Sequence, residues 1–248
     1  MRRSRRRFLA HGAAAAASTL PFVSAPRAAA RRRVVVVGAG YGGATAARYL
    51  RLLDPSIEVV LVEANGAFVS CPLSNMVLGG FKAMSDITRP YDGLAAAGIR
   101  VVRDVATAVD ADRKQVRLAH GDPIAFDRAV VAPGVDFIWG ELPSMNDERA
   151  QAAILHAWKA GPQTAALRRQ LEEMRDGGLF VISIPEAPFR CPPGPYERAC
   201  LVAAYFKRAK PRSKVLIVDA NEDVLSKGAL FKRAWAELYP GLIEYQPN

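Results

Sequence analysis

Val34-Val35-Val36-Val37-Gly38-Ala39-Gly40-Tyr41-Gly42-Gly43 is followed, after an Ala-rich interval, by Val59-Val60-Leu61-Val62-Glu63. A β-branched apolar run reads as a buried strand, the glycines as a tight turn, the interval as a helix, and the second apolar run as a parallel strand. The acid stands twenty residues past the last glycine. Strand, Gly-x-Gly-x-x-Gly, helix, strand and acid together make a dinucleotide-binding βαβ unit. Each residue type has a mechanical reason. Gly38 permits the turn, Gly40 lets backbone approach a pyrophosphate, and Gly43 lets helix and strand pack closely. The helix start offers N–H groups to phosphate, and Glu63 is placed to accept a hydrogen bond from a ribose hydroxyl.

Working outward, the chain repeats the pattern. Thr164–Met174 reads as a helix, Leu179–Ile184 as an apolar strand, Glu197–Ala209 as an amphipathic helix and Lys214–Asp219 as a second apolar strand. The expected fold is therefore α/β with two Rossmann-like domains, residues 31–160 and 161–248. Between them lie an expected helix over Asp86–Gly98, a strand at Ile99–Asp104, an alternating antiparallel excursion over Val105–Leu118 and a buried strand entering Pro133-Gly134. Nothing in the sequence offers further strands to cover the second unit, so the chain is expected to be an N-terminal part of a longer protein with an incomplete second domain.

The second unit carries no glycine loop. After Ile184 comes Pro185-Glu186-Ala187-Pro188-Phe189-Arg190-Cys191-Pro192-Pro193-Gly194-Pro195. Prolines have no N–H to give a phosphate, so this domain is expected not to bind NAD(P). The stiff loop instead presents Cys191 at the carboxyl end of a parallel strand, where ligands gather in such sheets. Of the other two cysteines, Cys200 falls among Ala199, Leu201 and Val202 and reads as a small buried hydrophobe, whereas Cys71 lies in a loop. Arg190 and Arg198 flank Cys191 and read equally as an anion-attracting pair or as surface charges. Cysteine and histidine spacing gives no metal site.

The net charge of +10 misleads, because six arginines and no acid fall in residues 1–30. Ser4-Arg5-Arg6-Arg7-Phe8-Leu9, a weakly apolar run and Ala25–Ala30 resemble a twin-arginine export signal. Periplasmic localisation is the expectation. The remaining surface is mildly basic without a stripe of cations and aromatics, so no nucleic-acid partner is expected, and no membrane insertion either.

Phe68-Val69-Ser70-Cys71-Pro72-Leu73-Ser74-Asn75, Pro188–Arg198 and Ser226-Lys227-Gly228-Ala229-Leu230-Phe231 resemble the flavoprotein subunit of flavocytochrome c sulfide dehydrogenase. The resemblance implies a glutathione-reductase-like fold and an FAD enzyme that oxidises sulfide and passes electrons to a c-type cytochrome subunit. It implies that FAD is bonded covalently through Cys71, that Pro133 and Gly134 close the nucleotide lobe against the flavin, and that Cys191 is half of a redox disulfide whose partner lies further along the family's chain. Sulfide would attack that disulfide, and two electrons would pass to the flavin. No Cys-x-x-Cys-His occurs, so haem is expected only on a partner subunit. A sulfide:quinone oxidoreductase, with the same fold and disulfide chemistry, and a non-catalytic flavin-binding accessory protein of sulfur oxidation are the alternatives.

Overall fold

The computed structural model describes residues 32–248. The expected export signal, residues 1–30, lies outside them. The first domain is organised by a four-stranded parallel sheet of β1 (Arg33–Val37), β2 (Glu58–Val62), β5 (Arg100–Val102) and β9 (Arg128–Val131), in the order β5-β2-β1-β9. Its side chains alternate with the strand period of two. Val34, Val36, Val59 and Leu61 face α1 (Tyr41–Leu53) and the short helix α4 (Asp92–Ala96), packing on Ala47, Tyr91 and Ile99. Val35, Val60 and Val62 face the opposite way, onto Val116 and Ile124 of an antiparallel meander. That meander is β6 (Ala106–Asp110), β7 (Gln115–Leu118) and β8 (Ile124–Ala125). Cover on both faces is why the strands read as unbroken valine runs rather than as alternating ones.

The expected helix over Asp86–Gly98 is not continuous. α3 (Met84–Ile87) gives way to β4 (Thr88–Pro90), which pairs antiparallel with β3 (Ala67–Val69), and only then does α4 begin. Pro90 explains the break: it lacks an N–H and disfavours helical backbone at Arg89. The loop leaving β3 carries Cys71 and runs into α2 (Ser74–Leu78).

After two 3-10 turns and α5 (Glu148–Ala153), the second domain comprises α6 (Pro162–Glu173), β10 (Leu179–Ile184), α7 (Gly194–Ala209), β11 (Lys214–Asp219), α8 (Gly228–Leu238) and β12 (Ile243–Gln246). Its three strands are parallel in the order β10-β11-β12. β12 corrects the expectation that nothing follows β11: Ile-Glu-Tyr-Gln alternates, as an edge strand does, and is too short to stand out in sequence. Phe206 and Tyr196 of α7 are fully buried against Ile182, Ile184, Val215, Ile217 and Trp235. Leu78 of α2 belongs to this same cluster, so the Cys71 segment is packed onto the second domain. Arginines reinforce the seam. Arg168 donates to the Leu78 carbonyl at 2.9 Å and Arg208 to that of Gly79 at 3.1 Å. Their guanidinium groups stack on Tyr205 and Phe81, respectively, at 4.3 and 4.6 Å from the ring centroids.

Candidate functional site

The glycine turn has the shape a dinucleotide needs. Gly38 has φ of +91°, and a Cβ there would stand 2.2 Å from the Ala132 carbonyl oxygen, at the residue before Pro133. A Cβ on Gly43 would stand 1.8 Å from the Gly38 carbonyl oxygen, so only glycine allows α1 to close onto the turn. Gly40 is different: a Cβ there would meet nothing within 4 Å. It faces open space at the start of a 13-residue helix whose positive end faces that space. Glu63 follows β2. Its Oε2 accepts from Ala39 N at 2.8 Å, and its Oε1 from Asn65 N and Nδ2 at 2.8 and 2.7 Å. These bonds hold the carboxylate beside the turn, and Oε2, which accepts only one of them, retains acceptor capacity. Gly134, φ +80°, also faces open space.

The corresponding strand ends of the second domain are built differently. Pro185 stands where Gly38 stands in the first. Asp219, 2% exposed, accepts at Oδ2 from Tyr196 OH at 2.6 Å and Tyr245 OH at 3.2 Å. Its Oδ1 accepts from Asn221 N at 3.1 Å and Nδ2 at 2.7 Å. Burial and the Asp219 carboxylate push the Tyr196 hydroxyl up to about 12, so it remains a donor. Asn221 also donates to the Pro185 carbonyl at 3.0 Å and accepts from Ala187 N at 3.0 Å. The acid at this strand end is thus committed to its own domain.

The two cysteine loops converge on one dipeptide, Ala157-Trp158. Cys71 Sγ, half-buried, donates to the Trp158 carbonyl at 3.2 Å, and Arg190 Nη1 donates to the same oxygen at 3.2 Å. Arg198 Nη2 donates to the Ala157 carbonyl at 2.9 Å, and its Nε donates to Asn75 Oδ1 at 3.1 Å. Asn75 is buried and donates to the Gly194 carbonyl at 3.4 Å and to Glu197 Oε2 at 3.2 Å. Tyr41, the first residue of α1, shares a 2.6 Å hydrogen bond with Ser70 Oγ next to Cys71. The glycine turn is therefore tied to the Cys71 loop, and that loop to the helix following Cys191. Cys191 is exposed with φ of +59°, an uncommon conformation for a residue with a Cβ. It brings the sulfur to 3.2 Å from where a Gly194 Cβ would stand, at the start of α7.

The structure separates the two flanking arginines. Arg190 is exposed, whereas Arg198 is 8% exposed. Burial pushes the Arg198 guanidinium down to about 10, opposed by the charges of Cys71, Cys191 and Glu197. Cys200 lies instead in the second-domain core, half-buried beside Trp235, and burial pushes its thiol up. Among the described residues all three cysteines are free and no cluster could hold a metal ion. A cavity of about 230 Å³ adjoins this seam, lined by Val135, Phe137, Trp158, Lys159, Phe189 and Arg190 among others. A larger groove of about 470 Å³ lies along Phe81, Lys82, Arg168 and Glu172, with no thiol in its wall. Asn75, His156, whose ring lies 4.4 Å from that of the cavity-lining Phe137, and the Ala157 and Trp158 carbonyls were not foreseen as site elements. Backbone carbonyls carry no sequence signal, and a lone histidine or asparagine carries little.

Two Rossmann-type units, one with an open glycine cradle and a thiol loop over the other, define a dinucleotide-dependent redox flavoprotein fold. Residues 32–166 match the pyridine nucleotide-disulphide oxidoreductase model, and the chain belongs to that family. Residues 164–248 match the central part of the sulfide dehydrogenase [flavocytochrome c] flavoprotein chain. Over 46 residues the chain is 67% identical to the flavoprotein chain of that name from Chlorobaculum thiosulfatiphilum, covering 18% of this chain and 96% of that sequence. It is 25% identical over 187 residues to sulfide-quinone reductase of Aquifex aeolicus, covering 74% of this chain and 41% of the relative. The solved sulfide:quinone oxidoreductase of Aquifex aeolicus superimposes with a TM-score of 0.66 at 22% identity, over 88% of this chain and 51% of that one. The chain thus spans about half or less of the length of these sulfide-quinone relatives. No helix among the described residues is long and apolar enough to cross a membrane.

Proposed function

We propose that this chain is the flavin-binding and thiol-bearing part of a periplasmic sulfide dehydrogenase that passes electrons to a c-type cytochrome subunit. The observation that carries this reading is the meeting of Cys71, Arg198 and Arg190, the neighbour of Cys191, at Ala157-Trp158, hydrogen-bonded back to the first helix of an open dinucleotide cradle. FAD fits the first crevice: the start of α1 and Gly40 receive the pyrophosphate, Glu63 the ribose, and Pro133-Gly134 border the space beyond. Cys71 is the residue that would hold the ring covalently. FAD supplies the change from two-electron uptake to single-electron release.

The residues of this chain perform the sulfur chemistry. Hydrosulfide attacks the Cys191 sulfur of a disulfide; the new S–S bond leaves a persulfide on Cys191, and the old one breaks to leave a thiolate on the partner cysteine. That partner is one the family resemblance places further along the polypeptide. The stiff proline loop keeps Cys191 accessible while this exchange occurs. The proline-rich loop after Ile184 and the internally bonded Asp219 support a reading in which NAD(P) has no part. The twin-arginine pattern at Ser4–Leu9 supports export of an already folded protein, in which the cofactor is acquired first.

Two measurements test this. The denatured intact mass of the protein from its source is expected to exceed its polypeptide mass by one FAD, and Cys71→Ser to lose that increment. Anaerobic sulfide is expected to bleach the flavin, with cytochrome c restoring the oxidised spectrum. Restoration by quinone alone would favour the quinone-reducing alternative, and FAD binding without bleaching the accessory-protein reading.

A further inference from the structure

We infer that Arg198 is an anion-holding residue, keeping a small sulfur anion, hydrosulfide or the terminal sulfur of a polysulfide, beside Cys191. This rests on the sulfide-oxidising reading above and names the residue that recruits its substrate. A guanidinium keeps its charge at any physiological pH, and burying one is unfavourable unless an opposite charge accompanies it. Arg198 is 8% exposed, yet it forms no ion pair among the described residues. Its fixed partners are neutral, Asn75 Oδ1 and the Ala157 carbonyl, and they use Nε and Nη2. Those two bonds orient the planar group and leave Nη1 uncommitted.

The groups facing this charge come from every side of the seam. They are Cys71 from the loop before α2, Cys191 from the loop before α7, Glu197 from its own helix, and His156 from the segment after α5; Asn75 joins Arg198 to the Gly194 carbonyl, and the Cys191 sulfur lies 3.2 Å from where a Gly194 Cβ would stand. Glu197 is exposed and bonded to Asn75, so it does not neutralise the guanidinium directly. Arg190 adds a second cation at the exposed edge through the Trp158 carbonyl. A buried cation with neutral ligands and an accessible sulfur beside it attracts an anion in a region that screens charge poorly.

Paired alkylation tests this. Iodoacetate and iodoacetamide displace iodide at the same thiolate but differ in charge, so their rate ratio at Cys191 reads the local potential. The purified holoprotein is reduced with a phosphine, and the Cys191 peptide is quantified by mass spectrometry. Arg198→Met is expected to lower the iodoacetate-to-iodoacetamide ratio roughly tenfold at low salt, in line with electrostatic focusing. Arg198→Lys is expected to stay within about threefold of wild type, and Arg113→Met, on the distant β6–β7 hairpin, to leave the ratio unchanged. A folded Arg198→Met with a ratio within about twofold of wild type overturns the inference. Should that variant fail to fold, Arg198→Gln, whose amide can still donate toward Asn75 or the Ala157 carbonyl without the charge, decides: a ratio within about twofold of wild type overturns the inference. Sulfide bleaching is measured separately. A shifted ratio without bleaching refutes the sulfide reading but leaves the anion site, and bleaching with an unshifted ratio does the reverse.

Discussion

Gly40→Ala and Gly43→Ala are both one-carbon additions within one glycine turn, and the structure expects opposite consequences. At Gly43 the new Cβ would stand 1.8 Å from the Gly38 carbonyl oxygen and 3.3 Å from Val36 Cγ1. Ordinary contact needs well over 3 Å, so α1 must withdraw from the turn by more than 1 Å. Overpacking of this kind costs about 1–3 kcal/mol, which in a domain of this size lowers Tm by roughly 2–12 °C. At Gly40 the Cβ meets nothing within 4 Å, and φ of −70° suits any residue. Replacing glycine by alanine at a helix N-cap costs at most about 1 kcal/mol. Yet that carbon enters the space where backbone and pyrophosphate must touch. The assay is the pair of variants in a Cys71→Ser background, where flavin is held without a covalent bond, each measured for thermal unfolding after flavin removal and for co-purifying flavin per chain. Gly40→Ala should unfold near the wild-type temperature and lose most of its flavin. Gly43→Ala should lose both stability and flavin. Full flavin content in a folded Gly40→Ala protein would refute assignment of this crevice to the cofactor.

Two further outcomes follow from buried polar groups. Asp219→Ala strips acceptors from Tyr196, Tyr245 and Asn221 at once and should cost about 3 kcal/mol or more, against about 1–2 for Tyr196→Phe, read by urea denaturation; equal effects would refute the view that the carboxylate organises this strand end. His156 Nδ1 is buried without a partner, and burial, aided by Lys159, holds its pKa below the ordinary value. The unfolded chain therefore takes up this proton first as pH falls below about 6.5. Stability should decline from there down to the lower folded-state pKa and then level off. His156→Phe should remove that part of the slope in pH-dependent unfolding, and an unchanged slope would contradict the assignment.

Much of this molecule was legible because its information is local and periodic. Valine runs, the spacing of Gly38, Gly40 and Gly43, and an acid after the second strand specify a βαβ unit from backbone geometry alone, and β1, α1 and β2 occur where those rules place them. The proline-filled loop after Ile184 is likewise readable, since a missing N–H is a property of the residue itself. The misreadings came where pairing across distance overrides local pattern. Thr88–Pro90 joins a strand because β3 is there to receive it, and Ile243–Gln246 because β11 offers an open edge.

The site divides in the same way. The sequence by itself determined the open cradle and the residue types at the two thiol loops, because glycine, proline and cysteine carry their chemistry wherever they stand. Only the tertiary structure decided that the loops of Cys71 and Cys191, 120 positions apart, meet at one dipeptide. It also decided that Arg198 is buried while Arg190 is exposed, and that Asp219 turns inward to two tyrosines. Those outcomes depend on which helix face meets which neighbour. Packing of α2 on α6 and α7 settles that, and no single stretch of sequence encodes it.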